Sequence, residues 1–219
     1  MYQQTERRPI KLRSTQWSLR AATILVKIGI TPNQVSVMSA VFALVGAVFL
    51  LVSAHASGLT VILSLVGAAA CIQLRLICNL LDGMMAVECH KQSKKGDLFN
   101  ELPDRFSDVL LLVAAGYAAR AGEAGIVLGW LAAVLAVTTA YLRAFGARYS
   151  NSQDYSGPMA KPHRMFVLTV GSLLSCVQYL CSGQISLMFV ALAVITVGAL
   201  ITCVRRTARI ARAMETEQC

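Results

Sequence analysis

The chain has 219 residues, of which 56% are hydrophobic and only 14% are charged, and its formal net charge is +9 at pH 7. This composition excludes an ordinary soluble domain and is typical of a protein built mainly from membrane-embedded segments. It also argues against a nucleic-acid-binding role, because the basic residues are divided among short loops instead of being gathered on one polar domain.

The amino-terminal region is polar at first and then amphipathic. No apolar core with a small-residue cleavage site follows the first 14 residues, so a removable signal peptide is not expected. Within 15–30, Arg20 and Lys27 lie on one helical stripe, and Trp17 and Ile24 belong to the other. This pattern predicts an amphipathic helix in the membrane interface, the alternative being a solvated basic helix.

A helix start follows at once. In Thr31-Pro32-Asn33-Gln34, Thr31 can cap, Pro32 suits the first helical position and Gln34 completes a capping box. The six apolar segments that come next are each near the ~20 residues needed to span a bilayer. They are 32–55, 59–88, 98–119, 125–147, 164–181 and 184–204. We predict an all-α integral membrane protein with one domain over 1–219.

Lysine and arginine are unevenly divided between the two sets of loops. The amino-terminal region, the loops after the second and fourth spans, and the carboxyl-terminal tail are basic, whereas the opposite loops hold little besides Arg120. The positive-inside rule therefore places both termini and the loop after the second span in the cytoplasm, where anionic lipids attract the charge. The seven cysteines form no Cys-x-x-Cys pair, which favours small core residues over metal or disulfide use.

The stretch 79–108 carries the strongest chemical signal. Asn79 and Asp82 share one helical face, and Asn100, Asp104 and Asp108 share a face of the next helix. If the two faces meet, their carboxylate and amide oxygens converge. Hard oxygen ligands of this kind suit a divalent cation such as Mg²⁺.

The spacing in this stretch resembles the signature D-x2-D-G-x2-A-R-x8-G-x3-D-x3-D of the CDP-alcohol phosphotransferases, also called CDP-alcohol phosphatidyltransferases. All eight positions keep their register, and five keep their identity: Asp82, Gly83, Ala86, Gly96 and Asp104. The first and third aspartates are Asn79 and Asn100, as in a bacterial branch of the family, and the arginine is Val87.

The resemblance implies transfer of a phosphatidyl group from CDP-diacylglycerol to a small, hydrophilic or phosphorylated alcohol, with release of CMP. It implies Mg²⁺ or Mn²⁺ as cofactor, a homodimer, and a bacterial inner-membrane location with the site on the cytoplasmic side. The matching metal ligands are Asn79, Asp82, Asn100 and Asp104, and Asp104 also takes the position of the general base.

The resemblance also assigns residues to the two substrates. On the donor side are Asn33, Arg75, Asp82, Gly83, Ala86 and Gly96. For Arg75 the alternative is a structural ion pair, and for Gly83 it is close helix packing. On the acceptor side are Arg143, Arg148, Lys161 and Arg164, for which the alternative is only the positive-inside rule.

The asparagines leave two formal negative charges where the signature has four. The donor diphosphate could supply the missing charge, with one or two ions bound, or the nearby acids Asp97, Glu101 and Asp108 could compensate. The site could instead be degenerate, which would make the chain a silent member that binds CDP-lipid or supports a partner enzyme. A small transporter is a third hypothesis, motivated by intramembrane charge.

Overall fold

The computed structural model describes residues 16–87, 96–149, 154 and 156–216, and for 96, 97, 99, 100 and 216 it describes the backbone alone. The described residues form seven α-helices and contain no strand. The helices are α1 (Gln16–Lys27), α2 (Pro32–His55), α3 (Leu59–Val87), α4 (Gly96–Ala118), α5 (Gly122–Gly146), α6 (Lys161–Ser182) and α7 (Ser186–Thr216).

Five of these helices, α2, α3, α5, α6 and α7, are long and apolar enough to cross a bilayer. The chain is therefore an all-α integral membrane protein, as predicted. The 23-residue α4 is long enough to span, but it carries four charged residues between 101 and 108, namely Glu101, Asp104, Arg105 and Asp108. It packs against both α2 and α5, so the predicted count of six spans is compatible with the fold and stays a prediction.

The helix boundaries follow local sequence signals. The capping box at the start of α2 is confirmed: Gln34 N donates to Thr31 Oγ1 over 3.3 Å, and Thr31 N donates to Gln34 Oε1 over 2.8 Å. At the other end of the chain, α7 continues well past the predicted limit at 204. The continuation has a physical reason, because residues 205–216 contain neither glycine nor proline to end a helix.

The six long helices close into a ring. Each of α2, α4, α5, α7, α6 and α3, taken in that order, packs against the next, and α3 returns to α2. One close crossing joins α4 to α5, where a Cβ at Gly129 would lie 2.9 Å from Gly116 Cα. Small residues let the two backbones approach, as is usual where helices pack within membranes.

The first helix lies outside the ring and packs on α3. Its buried Ala22 belongs to a small apolar cluster with Leu81, Met84 and Met85 near the end of α3. Trp17 and Ile24 on α1 are exposed, at 47% and 55%. An exposed apolar stripe on such a helix fits the predicted membrane interface, and that location stays a prediction.

Candidate active site

Polar and charged side chains from four helices meet inside the bundle, which is otherwise apolar. They come from the first turns of α2, the second half of α3, the middle of α4 and the start of α6. The contributing side chains are Ser36, Ser39, Arg75, Asn79, Asp82, Asp104, Asp108, Lys161 and Arg164. Buried charge on this scale within a membrane bundle is costly and marks a functional region.

Asp82 is 3% exposed and is held by one strong hydrogen bond. Ser36 Oγ on α2 donates to its Oδ2 over 2.6 Å. The other oxygen, Oδ1, is buried, and no donor in the described part of the chain meets it in good hydrogen-bond geometry, although the Gly83 backbone lies nearby. An anionic oxygen left in this state is expensive unless a cation or a ligand reaches it.

Asn79 joins the α2 side of the site to α4. Ser39 Oγ donates to Asn79 Oδ1 over 2.7 Å, and Asn79 Nδ2 donates to Asp104 Oδ1 over 3.1 Å. The carboxylate can only accept, so the amide must turn its nitrogen toward Asp104. Asn79 therefore presents a donor, and not a ligand oxygen, to the neighbouring carboxylate.

Asp104 is 8% exposed, and both of its oxygens have partners. Besides Asn79, Arg75 Nη2 lies 3.4 Å from Oδ1 and donates to the Asp104 backbone carbonyl over 3.2 Å. The ammonium of Lys161, the first residue of α6, pairs with Oδ2. The sequence therefore correctly predicted that α3 and α4 face each other here, but it gave no sign of this cationic partner.

One turn further along α4, Asp108 forms a closed ion triad. Arg75 Nη2 donates to Asp108 Oδ1 and Arg164 Nη2 to Oδ2, each over 2.8 Å. Arg75 is 0% exposed, Arg164 1% and Asp108 1%. This geometry favours a structural ion pair for Arg75 over a donor contact. For the same reason it favours a structural role for Arg164 over an acceptor contact.

The remaining donor-side predictions are only partly visible. Asn33, Gly83 and Ala86 are all half-buried around the polar end of the bundle. Gly96 begins α4, but its surroundings, like the side chains of Asp97 and Asn100, lie outside the described part of the chain. The metal-ligand role predicted for Asn100 and the compensating role of Asp97 therefore stay predictions.

On the acceptor side, Arg143 is not simply a loop charge. Its Nη2 lies 2.6 Å from Glu101 Oε1, which also pairs with Arg105 over 2.8 Å. Glu101 therefore has cationic partners of its own, and its predicted compensating role has no support in these contacts. Arg148 is exposed just beyond α5.

The sequence interpretation missed a clasp between α7 and the segment before α6. Arg206 Nε and Nη2 both donate to the Ser156 carbonyl, over 3.2 and 3.1 Å, and Arg209 Nη1 pairs with Asp154 Oδ2 over 3.0 Å. Partial burial would raise the pKa of Asp154, but hydrogen bonds from Ser156 and the charge of Arg209 outweigh it and hold that pKa below its ordinary value. The clasp fixes the segment that leads into Lys161.

Asp82 has an oxygen that a hard cation could reach, whereas Asp104 does not. In the described part of the chain, Asp82 Oδ1 meets no well-aligned donor, and a carboxylate oxygen is a ligand that Mg²⁺ or Mn²⁺ prefers. At Asp104, by contrast, amide and cationic donors already meet both oxygens. Among the described residues, no three acidic, histidine or cysteine side chains form a group that could hold a metal ion.

Fold and site together define a polytopic helical membrane protein with a buried cluster of carboxylates, cations and an amide at one end. A family model described as CDP-alcohol phosphatidyltransferase matches residues 29–205. The chain therefore belongs to the CDP-alcohol phosphatidyltransferase family, as the spacing of residues 79–104 predicted.

Individual relatives are more distant. The inner membrane protein YnbA of Escherichia coli K12 is 26% identical over 100 residues, 46% of this chain and 48% of that protein. The chain thus aligns with only about half the length of this curated relative.

Among solved structures, the fold is similar to Mycobacterium tuberculosis phosphatidylinositol phosphate synthase PgsA1. The PgsA1 structure with CDP-DAG bound matches with a TM-score of 0.72 and 19% identity, covering 90% of this chain and 94% of that one. Its complex with manganese and citrate matches with a TM-score of 0.71 and 19% identity, covering 88% of each chain.

Proposed function

We propose that the chain transfers a phosphatidyl group from CDP-diacylglycerol to a small hydrophilic alcohol and releases CMP. The observation that carries this proposal is the buried Asp82 carboxylate, which interacts electrostatically with Asp104 and has one oxygen that meets no well-aligned donor among the described residues. These side chains lie within the stretch that matches the family model. CDP-DAG is bound in the similar PgsA1 structure, which supports the same class of donor here.

In the proposed reaction, the alcohol oxygen attacks the phosphorus that carries diacylglycerol. A new P–O bond forms, the P–O bond to CMP breaks, and the alcohol proton goes to Asp104. A carboxylate oxygen has two lone-pair sites, so the contact with Lys161 leaves Asp104 Oδ2 able to accept it. Arg75 and Asn79 hold the other oxygen and so fix the orientation of the base.

A divalent cation, when bound, would neutralise charge on the donor diphosphate and on the departing CMP. We propose Asp82 as its principal ligand, with Asn100 as a further oxygen ligand. Mn²⁺ is present in a PgsA1 structure, and either Mg²⁺ or Mn²⁺ suits these oxygen donors. Asn33, Gly83, Ala86 and Gly96 are proposed to surround the nucleotide.

The acceptor is proposed to meet Arg143, Arg148 and Lys161, because guanidinium and ammonium groups bind phosphorylated or polyhydroxylated alcohols. Arg164 is left out of this set because Asp108 and burial hold it inside the bundle. The cytoplasmic orientation of the site and the homodimer belong to the proposal as well, and rest on the loop charges and the family.

Release of CMP tests the proposal directly. Purified protein receives Mg²⁺ or Mn²⁺, CDP-diacylglycerol and a panel of polyols and phosphorylated polyols. CMP should form only when a suitable alcohol is present, and Asp104→Asn should lower the rate by about 10²–10⁴-fold, the usual contribution of a general base. Glu123→Gln, which removes an exposed carboxylate in the first turn of α5, is the matched control. No CMP from any combination, beside an active PgsA1 control, would contradict the proposal.

One observation favours a second candidate, a member that binds CDP-lipid without turning it over. Both oxygens of Asp104 are occupied by protein donors, so its proton-accepting role depends on one remaining lone pair. Saturable binding of CDP-diacylglycerol with no alcohol-dependent CMP release would favour this silent member.

A further inference from the structure

The positive charge that pairs with Asp104 Oδ2 belongs to a side chain of the protein, Lys161. The other oxygen, Oδ1, is met by Asn79 Nδ2 and Arg75 Nη2. The Lys161 side chain is 21% exposed and that of Asp104 is 11% exposed, so the pair lies at the mouth of the cluster and not on the open surface. A metal ion bridging the positions of Asn79 and Asp104 would have to displace the amide and the ammonium together.

Charge balance leads to the same conclusion. The described cluster has three carboxylates, Asp82, Asp104 and Asp108, and three cations, Arg75, Lys161 and Arg164. It is therefore neutral before any metal or substrate arrives. A buried site of low dielectric penalises net charge, so two divalent ions would leave a large excess of positive charge. A donor diphosphate with two negative charges is balanced by one divalent ion.

We propose that the Lys161 ammonium and the Asn79 amide replace a second metal ion at Asp104, so that the pocket takes a single divalent cation and takes it together with the donor. This inference rests on the proposed function for its donor, but it concerns binding and not turnover. It gives Asn79 a consistent role: the amide brings no negative charge for a second metal ion, and Lys161 supplies the positive charge that such an ion would have brought to Asp104.

The test counts bound metal. Untagged protein in nanodiscs of zwitterionic lipid is titrated with Mn²⁺, and free Mn²⁺ is followed by electron paramagnetic resonance, with and without CDP-diacylglycerol and with no alcohol. Protein-free nanodiscs that contain the same donor give the background. We expect weak Mn²⁺ binding without donor and one ion per chain with it. Two ions per chain in either condition would overturn the proposal.

Two variants make the charge around Asp104 more negative, one by removing a cation and the other by adding a carboxylate. Lys161→Met removes the resident cation, and Asn79→Asp adds a ligand charge while Lys161 stays in place. Each should raise donor-free Mn²⁺ affinity by about 10- to 100-fold, the scale on which neighbouring groups tune metal sites. Lys27→Met makes the same charge change at an exposed position on α1 and should leave the affinity unchanged. Equal affinities for wild type, Lys161→Met and Asn79→Asp would overturn the proposal.

The measurements of CMP release and of bound Mn²⁺ test the two proposals independently. If alcohol-dependent CMP release occurs but wild type binds two ions, the transferase assignment stands and the single-ion inference is wrong. If CMP release never occurs but the Mn²⁺ count and the variant shifts are as expected, the single-ion site stands and the silent member is favoured. Elution as a single peak by size exclusion identifies folded variants, and Lys161→Gln serves if Lys161→Met does not fold.

Discussion

Asp82 and Asp108 are both buried carboxylates at the polar end of one bundle, yet they are bonded in opposite ways. Asp108 has a guanidinium on each oxygen, from Arg75 and Arg164, and both contacts are 2.8 Å. Asp82 accepts from one hydroxyl, that of Ser36, and its other oxygen meets no well-aligned donor among the residues that the structure describes. A buried carboxylate with a charged donor on each oxygen has a structural role. A buried carboxylate with an oxygen that lacks a donor can still bind a cation or a substrate.

Removing the charge of Asp108, which has a guanidinium on each oxygen, should have the largest effect on the free energy of unfolding. Asp108→Asn would leave Arg75 and Arg164 as buried guanidinium groups without their counter-charge. Loss of one partner of a buried ion pair costs about 3–5 kcal/mol. Denaturant or thermal unfolding in detergent should show this loss, and Asp154→Asn is the control. Unchanged stability of Asp108→Asn would show that the triad is not part of the framework.

The same substitution at Asp82 should lower activity without lowering stability. Asp82→Asn can still accept from Ser36, and it removes the cost of an unpaired buried charge. We expect stability at or above wild type together with about a 10²–10³-fold fall in CMP release, the scale for losing one electrostatic group at a reaction centre. Parallel unfolding and rate measurements check both halves. A variant that loses stability and activity in proportion would erase the distinction between the two carboxylates.

A smaller effect is expected where the orientation of Asp82 is altered and its charge is kept. Ser36→Ala removes the 2.6 Å hydrogen bond to Oδ2 and frees the carboxylate to rotate. Apparent Mn²⁺ affinity in the CMP-release assay should fall by about 10- to 100-fold. Ser53→Ala is the matched control, because Ser53 is buried on the same helix and its hydroxyl donates to the local Leu50 carbonyl. Equal behaviour of the two variants would mean that Ser36 does not position Asp82.

The smallest effect belongs to an ion pair outside the pocket, between Asp154 and Arg209, because both side chains are partly exposed. The pKa of Asp154 is lowered in the folded protein, so its carboxylate stabilises the fold at neutral pH. This contribution is lost as the pH falls below the ordinary pKa of 3.8 and through the lower pKa of the folded state. Asp154→Asn should cost less than about 1 kcal/mol at pH 7. Unfolding compared at pH 7 and under acid conditions checks this, and a difference that grew on acidification would contradict the sign.

Sequence reasoning succeeded where the signal is local. The capping box at Thr31 predicted the start of α2. The helical spacing within each of α3 and α4 predicted which faces carry Asn79 and Asp104, and these two side chains are hydrogen-bonded across the bundle. It could not find the side chains that complete the site. Ser36 is one serine among several in an apolar helix, and nothing in its neighbourhood singles it out.

The ion pairs were hidden for a related reason. Arg75 was recognised as an unusual intramembrane charge, but its partner Asp108 lies on another helix, and only the packed bundle shows which acid it meets. Lys161 and Arg164 fit the positive-inside rule so well that their contacts with Asp104 and Asp108 were not needed to explain them. Pairing across helices depends on tertiary packing, and no sequence periodicity encodes it.

In the proposed reaction, Asp104 accepts the alcohol proton and Asp82 holds the divalent cation, and together they carry out phosphatidyl transfer. Mass spectrometry of membrane lipids tests it most directly, in cells that express equal amounts of wild type and Asp104→Asn. We expect a phospholipid that accumulates with wild type and is absent with the variant, and its head group would identify the alcohol. A lipid profile that is the same in both strains would contradict it.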